Sequence, residues 1–176
     1  MIDFVEYDES IHKEALFDMF LKYGEWLDEQ VLKHHGFHLF TGGDVKIRID
    51  SLIPRFTSYD PSDAILLLLT VDGNVAGMTR LDKFAKGVGM IHNVYIYPEY
   101  RGRGLSKQMM YVVEEKAREF GFKFLRLDTG GFNVVAKSLY RKLGYYETER
   151  FTDFENLKRE HTRPYYLEKV YMEKKL

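Results

Sequence analysis

Val94-Tyr-Ile-Tyr-Pro-Glu-Tyr-Arg-Gly-Arg-Gly-Leu-Ser-Lys107 decides the fold, together with the amphipathic run that continues from it to Phe120. An apolar stretch rich in β-branched and aromatic residues stops at Pro98, a basic glycine-rich turn spans Arg101 to Ser106, and a helical pattern then begins. The order is strand, anion-cradling loop, helix. Gly102 and Gly104 remove side chains where a backbone would have to approach a ligand closely, and the start of the helix adds free N–H donors and the positive end of its dipole. Arg101, Arg103 and Lys107 carry charge of the same sign, so the turn suits a phosphate or a pyrophosphate.

A Gly-x-Gly beside arginines also suits a plain tight turn, so the neighbouring positions must decide. The dinucleotide fingerprint requires a third glycine at 107, where the chain has Lys107, and the NTPase loop requires a Gly-Lys-Ser/Thr string that does not occur. Both are excluded. Arg101, Gly104 and Ser106 instead fit Arg/Gln-x-x-Gly-x-Gly/Ala, the pyrophosphate signature of the GNAT superfamily of N-acetyltransferases, with Ser106 a small-for-small departure. Asn133 with Leu139-Tyr-Arg-Lys-Leu-Gly-Tyr145 is similar to that family's Asn…LeuTyr-x-x-x-GlyPhe segment, in the right order. The resemblance covers Ala64 to Phe151, about half of the chain.

What the resemblance implies is an α/β (α+β) fold: a mixed, mostly antiparallel sheet of about seven strands flanked by helices, with splayed parallel central strands. Acetyl-CoA would be the cosubstrate, without a metal. Its pyrophosphate would sit on Arg101, Gly102, Arg103, Gly104, Leu105, Ser106 and Lys107. Its pantetheine amides would pair with the strand backbone at Val94, Tyr95 and Ile96, with Asn133 beside them. Acetyl transfer from a thioester to an amine needs a held donor, a neutral amine, a stabilised oxyanion and a proton for the departing thiolate. Tyr140 matches the family's LeuTyr tyrosine and is the candidate acid. A strand amide near Val94 to Ile96 is the candidate oxyanion donor. Many relatives carry a base glutamate early in the strand before the loop, but that position falls at Met90 here. His92 and Asp128 remain, with Asp128 favoured because it ends the neighbouring strand, where ligand sites of parallel pairs lie.

Working outward, the rest of the chain supplies the other layers. Ile2 to Tyr7 alternates and reads as a first strand, and Ser10 caps a helix with Ile11, Ala15, Leu16, Met19 and Phe20 on one stripe, ending near Tyr23. A second helix follows from Trp26 to His35. His34, His35 and His38 invite a metal reading, yet adjacent helical residues point about 100° apart and no carboxylate stands at ligand spacing, so a solvated helix end is expected. Residues 44–54 suit either period, and the resemblance tips them to a helix begun by Asp44 and stopped by Pro54. Ala64 to Thr70, Val75 to Phe84 and Met90 to Tyr97 form an antiparallel meander turning at Asp72-Gly73. Leu105, Met109, Val112, Val113, Ala117 and Phe120 recur at helical spacing, and Gly121 ends that helix. Lys123 to Asp128 is then a parallel partner strand. Asn133 caps a helix with Val135, Ala136, Leu139 and Leu143 as its stripe and Gly144 beyond its end. Strands at 144–151 and 165–172, around a polar 153–163 loop, complete the sheet.

At 176 residues the chain is expected to be one domain over 1–176. Hydrophobic residues make up 45 %, which excludes a disordered chain, and a net charge of −1 gives no basic field for nucleic acid. The absence of cysteine removes disulfides, a thiol nucleophile and thiolate metal sites. Residues 1–20 are acidic, unlike a signal peptide, and the longest apolar run is too short to span a bilayer, so a cytoplasmic location is expected. These readings imply a small-molecule or peptide amine acceptor, with no nucleic acid and no membrane as partner, and leave a homodimer open. The first function is acetyl-CoA-dependent N-acetyl transfer to a primary amine within a ternary complex. The alternative is a non-catalytic acyl-CoA-binding sensor domain, against which Tyr140 argues.

Overall fold

The computed structural model describes residues 1–40, 45–151 and 168–176. Seven strands form one sheet in the order β1-β2-β3-β4-β5-β7-β6: β1 Ile2–Glu6, β2 Ile65–Val71, β3 Asn74–Ala85, β4 Val88–Ile96, β5 Phe124–Gly130, β6 Tyr146–Thr148 and β7 Lys169–Lys175. Only β4 and β5 run parallel. The helix between them is what forces this, because a crossover returns the chain to the same end of the sheet. Their register runs from Val88↔Phe124 to Ile91↔Leu127 and stops, although β4 continues to Ile96 and β5 to Gly130. The central pair therefore splays, as the resemblance implied.

A bulge causes the split. The β3–β4 register shifts between Met78 and Arg80, and Asn93 stands there at φ 53°. An extra residue in one strand raises its local twist and swings it off its neighbour, and asparagine is among the few side chains that tolerate the left-handed region.

Two layers of helices cover the sheet. On one face α1 Glu9–His35 and α2 Val45–Thr57 bury Leu16, Met19, Phe20 and Ile49 against Leu66, Leu68, Met78, Tyr95 and Tyr97. On the other, α3 Leu105–Glu119 and α4 Val134–Lys142 bury Met110, Val113, Ala117 and Tyr140 against Leu67, Leu81, Ile91, Leu125 and Leu127. Strand residues of alternate parity serve the two layers. Met109 and Met110 are fully buried core residues.

Several boundaries differ from the sequence reading. α1 is one continuous helix rather than two, with Gly24 buried inside it and Asp8, not Ser10, as N-cap: the Asp8 carboxylate accepts from the Ser10 N–H at 2.8 Å. Ile11 is exposed. α2 passes through Pro54 instead of stopping there, because its terminal carbonyls have a partner: Arg80 Nη1 donates to the carbonyls of Arg55 and Phe56. Phe56 also packs edge-on against Phe20 with centroids 4.6 Å apart. The proposed helix start at Asp44 lies outside the described residues, as do the 153–163 loop and the start of the proposed last strand, which is observed as Lys169–Lys175. Asn133 caps α4 as expected, accepting from the Ala136 N–H at 3.2 Å, but Val135 is exposed. Glu114 of α3 is 3 % exposed and takes Lys174 Nζ at 2.7 Å on both oxygens, tying α3 to β7.

Candidate active site

The turn after β4 is built as the glycines demanded. Pro98–Tyr100 makes one 3-10 turn, Gly102 and Gly104 take φ 76° and 73°, and a Cβ added at either would meet nothing within 4 Å. The space in front of the turn is open. Gly104 is the N-cap of α3 without a side-chain capping bond, and α3's first internal bonds are Lys107 N–H and Gln108 N–H to the Gly104 carbonyl. The N–H groups from Gly102 to Ser106 donate to no described residue. This is a row of free donors at a positive helix end, which an anion satisfies. Arg101 is placed differently from a free cation: its Nε donates to the Ile96 carbonyl at 2.8 Å and its guanidinium lies 5.5 Å from the Tyr95 ring centroid. Arg103 Nη2 donates to the Glu99 carbonyl at 3.1 Å, and Lys107 lies over Tyr111.

The split supplies the second half of the site. Tyr97 N–H donates to the Ala76 carbonyl, and Tyr95 is the register partner of Met78, so by alternation Val94 and Ile96 turn their amides away from β3 and toward the gap. With no strand across from them, these amides are free to pair with an extended ligand.

Side chains from six elements converge on the gap. His92 precedes the bulge and shares a face of the sheet with its register partner Arg80 and with Asp82 on β3. Its Nε2 lies 3.3 Å from Asp82 Oδ2, and its side chain is 39 % exposed. Burial by the surrounding protein pushes the imidazole below its ordinary pKa, against the opposing pull of Asp82 and Asp128. Asp82 is itself gripped by Arg80, whose Nε and Nη2 reach Oδ1 at 2.8 and 2.6 Å. Asp128 projects from β5 and pairs with Lys169 of β7, Nζ to Oδ1 at 2.8 Å. Tyr140 on α4 is 5 % exposed, and burial, with added repulsion from Tyr23 and Asp128, raises its phenol well above the usual range. Tyr23 of α1 approaches from the opposite face; burial first, then Asp128, pushes it up to about 12. Tyr140 belongs to the α3–α4 layer and Tyr23 to the α1–α2 layer, so their mutual influence runs through the gap.

All three catalytic candidates thus meet at the split. The sequence reading passed over Lys169, Arg80 and Asp82. The Arg80–Asp82 pair had a signal, since opposite charges two apart on a strand share a face. Lys169 had none, because its partnership with Asp128 is a diagonal cross-strand contact, two positions from the register pair Asp128↔Tyr171. Of the three helix-end histidines, His34 and His38 are exposed as expected, though His34 stacks on Phe132 at 5.2 Å and His38 bonds Asp28 at 2.7 Å, whereas the His35 side chain is only 5 % exposed. Among the described residues no group of three or more potential metal ligands comes together, and no helix is long and apolar enough to cross a membrane.

Comparison with known proteins agrees with this geometry. The N-acetyltransferase PaiA from Thermoplasma acidophilum, solved in complex with coenzyme A, has the same fold with TM-score 0.69 at 19 % identity, over 100 % of this chain and 99 % of that one. YjgM, an uncharacterized N-acetyltransferase of Escherichia coli, is 40 % identical over 69 residues, which is 39 % of this chain and 41 % of that protein. Aminoglycoside N(6')-acetyltransferase type 1 of Stenotrophomonas maltophilia is 26 % identical over 103 residues, 54 % of this chain and 67 % of its own length. The chain spans about two fifths of the first curated relatives it matches, 41 % of YjgM and 38 % of YycN from Bacillus subtilis. A family model described as "Acetyltransferase (GNAT) family" matches residues 18–145, and the chain belongs to that family.

Proposed function

We propose that this protein is an acetyl-CoA-dependent N-acetyltransferase acting on a primary amine of a small molecule or peptide, by direct attack within a ternary complex. The observation that carries this reading is the gap between β4 and β5, which opens beside a turn of free N–H donors and gathers Tyr140, His92 and Asp128 at its mouth. The turn from Arg101 to Lys107 holds the pyrophosphate, the free amides of Val94 and Ile96 hold the pantetheine arm, and Asn133 keeps the adjoining helix start in place. One of those strand amides also faces the developing oxyanion.

The amine nitrogen attacks the thioester carbonyl, the C–N bond forms, and the C–S bond breaks. His92 takes the proton from the attacking nitrogen. Burial holds the imidazole neutral near pH 7, and Asp82 stands ready to stabilise the imidazolium that forms. We prefer His92 to Asp128 because a proton taken up by Asp128 would break its pair with Lys169. Asp128 instead helps to orient the incoming ammonium, which first gives one proton to solvent water, so that the nitrogen attacks as the neutral amine. Tyr140 stays protonated through the neutral range and gives its proton to the thiolate; the burial that strengthens its O–H also destabilises a thiolate beside it, so both groups lie above their ordinary values.

The test is calorimetric titration with acetyl-CoA. Gly104→Asp places a carboxylate at the phosphate position, in a backbone conformation that Asp tolerates and in open space, so the domain stays folded. Binding should be lost in the folded variant and present in wild type. Equal affinity in the two would remove the pyrophosphate assignment.

A further inference from the structure

Outward from the gap, the inner face of α1 carries a wall of aromatic rings. Tyr23 and Trp26 lie one turn apart with rings 24° from parallel and centroids 6.0 Å apart. Tyr95 of β4 closes on Tyr23 at 5.4 Å, and Phe132, just past β5, closes on Trp26 at 6.4 Å. Farther along the helix, His34 stacks on Phe132 at 11°. Tyr23 and Trp26 are only part-buried. The inner end of this wall reaches the gap, because Tyr23 packs on Tyr95 of β4, beside the strand amides that the split frees.

Three carboxylates near the wall are already paired. Asp128 is paired with Lys169, Asp82 with Arg80, and Asp28 with His38. Near Phe132, Lys137 Nζ donates to the Gly131 carbonyl and brings a further positive charge. A substrate with several ammonium groups would find Asp128, Asp82 and Asp28 already paired, and would have to desolvate any charge held against the aromatic rings. A single ammonium on a flat apolar body has neither problem. Its nitrogen reaches Asp128 and His92 while its body stacks on Trp26 and Tyr23.

From this arrangement we infer that the acceptor is a monoamine carried on an aromatic ring, held against Trp26, Tyr23 and Phe132, rather than a polycation. The inference rests on the N-acetyltransferase reading for the fate of the amine, but the wall can be read out independently. Trp26 is the chain's single tryptophan, so its fluorescence reports on this surface alone.

The experiment titrates the protein, in the presence of CoA, with 2-phenylethylamine, n-butylamine and spermidine, and measures acetyl-CoA turnover with the same three amines. Saturable quenching of Trp26 by 2-phenylethylamine is expected at a concentration roughly tenfold or more below either of the others, with kcat/KM in the same order. Trp26→Leu should raise KM for 2-phenylethylamine roughly tenfold and leave n-butylamine within about twofold, a split that general loosening of the fold would not produce. Trp26→Phe, which keeps a ring, should restore most of the preference. Turnover in which spermidine leads, or in which 2-phenylethylamine leads by less than threefold, overturns the acceptor class and leaves the acetyltransferase reading intact. Selective quenching by 2-phenylethylamine without CoA release from any amine upholds the wall and contradicts the acetyltransferase reading instead.

Discussion

The proposed division of the proton traffic between Tyr140 and His92 makes two separable claims. Tyr140→Phe keeps the ring among its core neighbours, so the melting temperature should barely move, while kcat should fall by about 10- to 1000-fold. Acetyl-CoA affinity should survive; a kcat within about twofold of wild type would return Tyr140 to a purely structural role. For His92 the sign follows from its depressed pKa. The base must be neutral to accept a proton, and burial favours the neutral form, so the acid limb of the kcat profile lies below the ordinary imidazole value of about 6.5 and activity is full at neutral pH. His92→Ala should flatten that limb. If the limb persists in His92→Ala and disappears in Asp128→Asn, the roles of the two residues are exchanged. Tyr140, Asp128 and His92 could all be found by reading along the chain, because each sits beside a local pattern of strand, turn or cap. Their partners could not, because Lys169 and Asp128 meet only through the register of β5 with β7.

The bulge in β4 is the element on which the site turns. Asn93 at φ 53° sits where the register with β3 slips and where pairing with β5 ceases. Asn93→Val forces a β-branched residue into that region at about 1–2 kcal/mol, or a fall in Tm of about 2–8 °C for a domain of this size. It should also weaken acetyl-CoA binding by favouring an unbulged strand, whereas Asn93→Gly should keep both properties. Thermal melts and acetyl-CoA titrations of the two variants check this; equal behaviour would mean that the bulge does not hold the gap open. Other elements show what local sequence can convey. The Asn133 cap and Gly144 stop bracket the single nine-residue helix α4 and were legible. Gly24 and Pro54 were read as interruptions because breakers carry a local penalty. Here that penalty is overridden: α1 buries Leu16, Met19 and Phe20 before Gly24 and Val31 after it, and Arg80 satisfies the end of α2.

At the scale of the whole molecule, one parallel pair in a sheet whose other described strands pair antiparallel opens a gap that, on the proposed reading, receives donor and acceptor from opposite sides. The phosphate turn leads into α3 on one face of the sheet, and the aromatic wall of α1 covers the other. About seven strands and a splayed parallel pair were what the family resemblance implied, and the crossover after β4 gave the parallel pairing, whereas the layer formed by α1 and α2 was the least legible part, since these helices carry no motif and meet the sheet only through packing. In the proposed reaction amine and thioester meet in the gap, so the account stands or falls on amine-dependent release of CoA. With acetyl-CoA saturating, a panel of primary amines should accelerate CoA release by wild-type protein at least tenfold over the amine-free rate, with one acetyl group appearing on the amine for each CoA freed. Protein that binds acetyl-CoA but releases CoA at the same rate with and without every amine would contradict it.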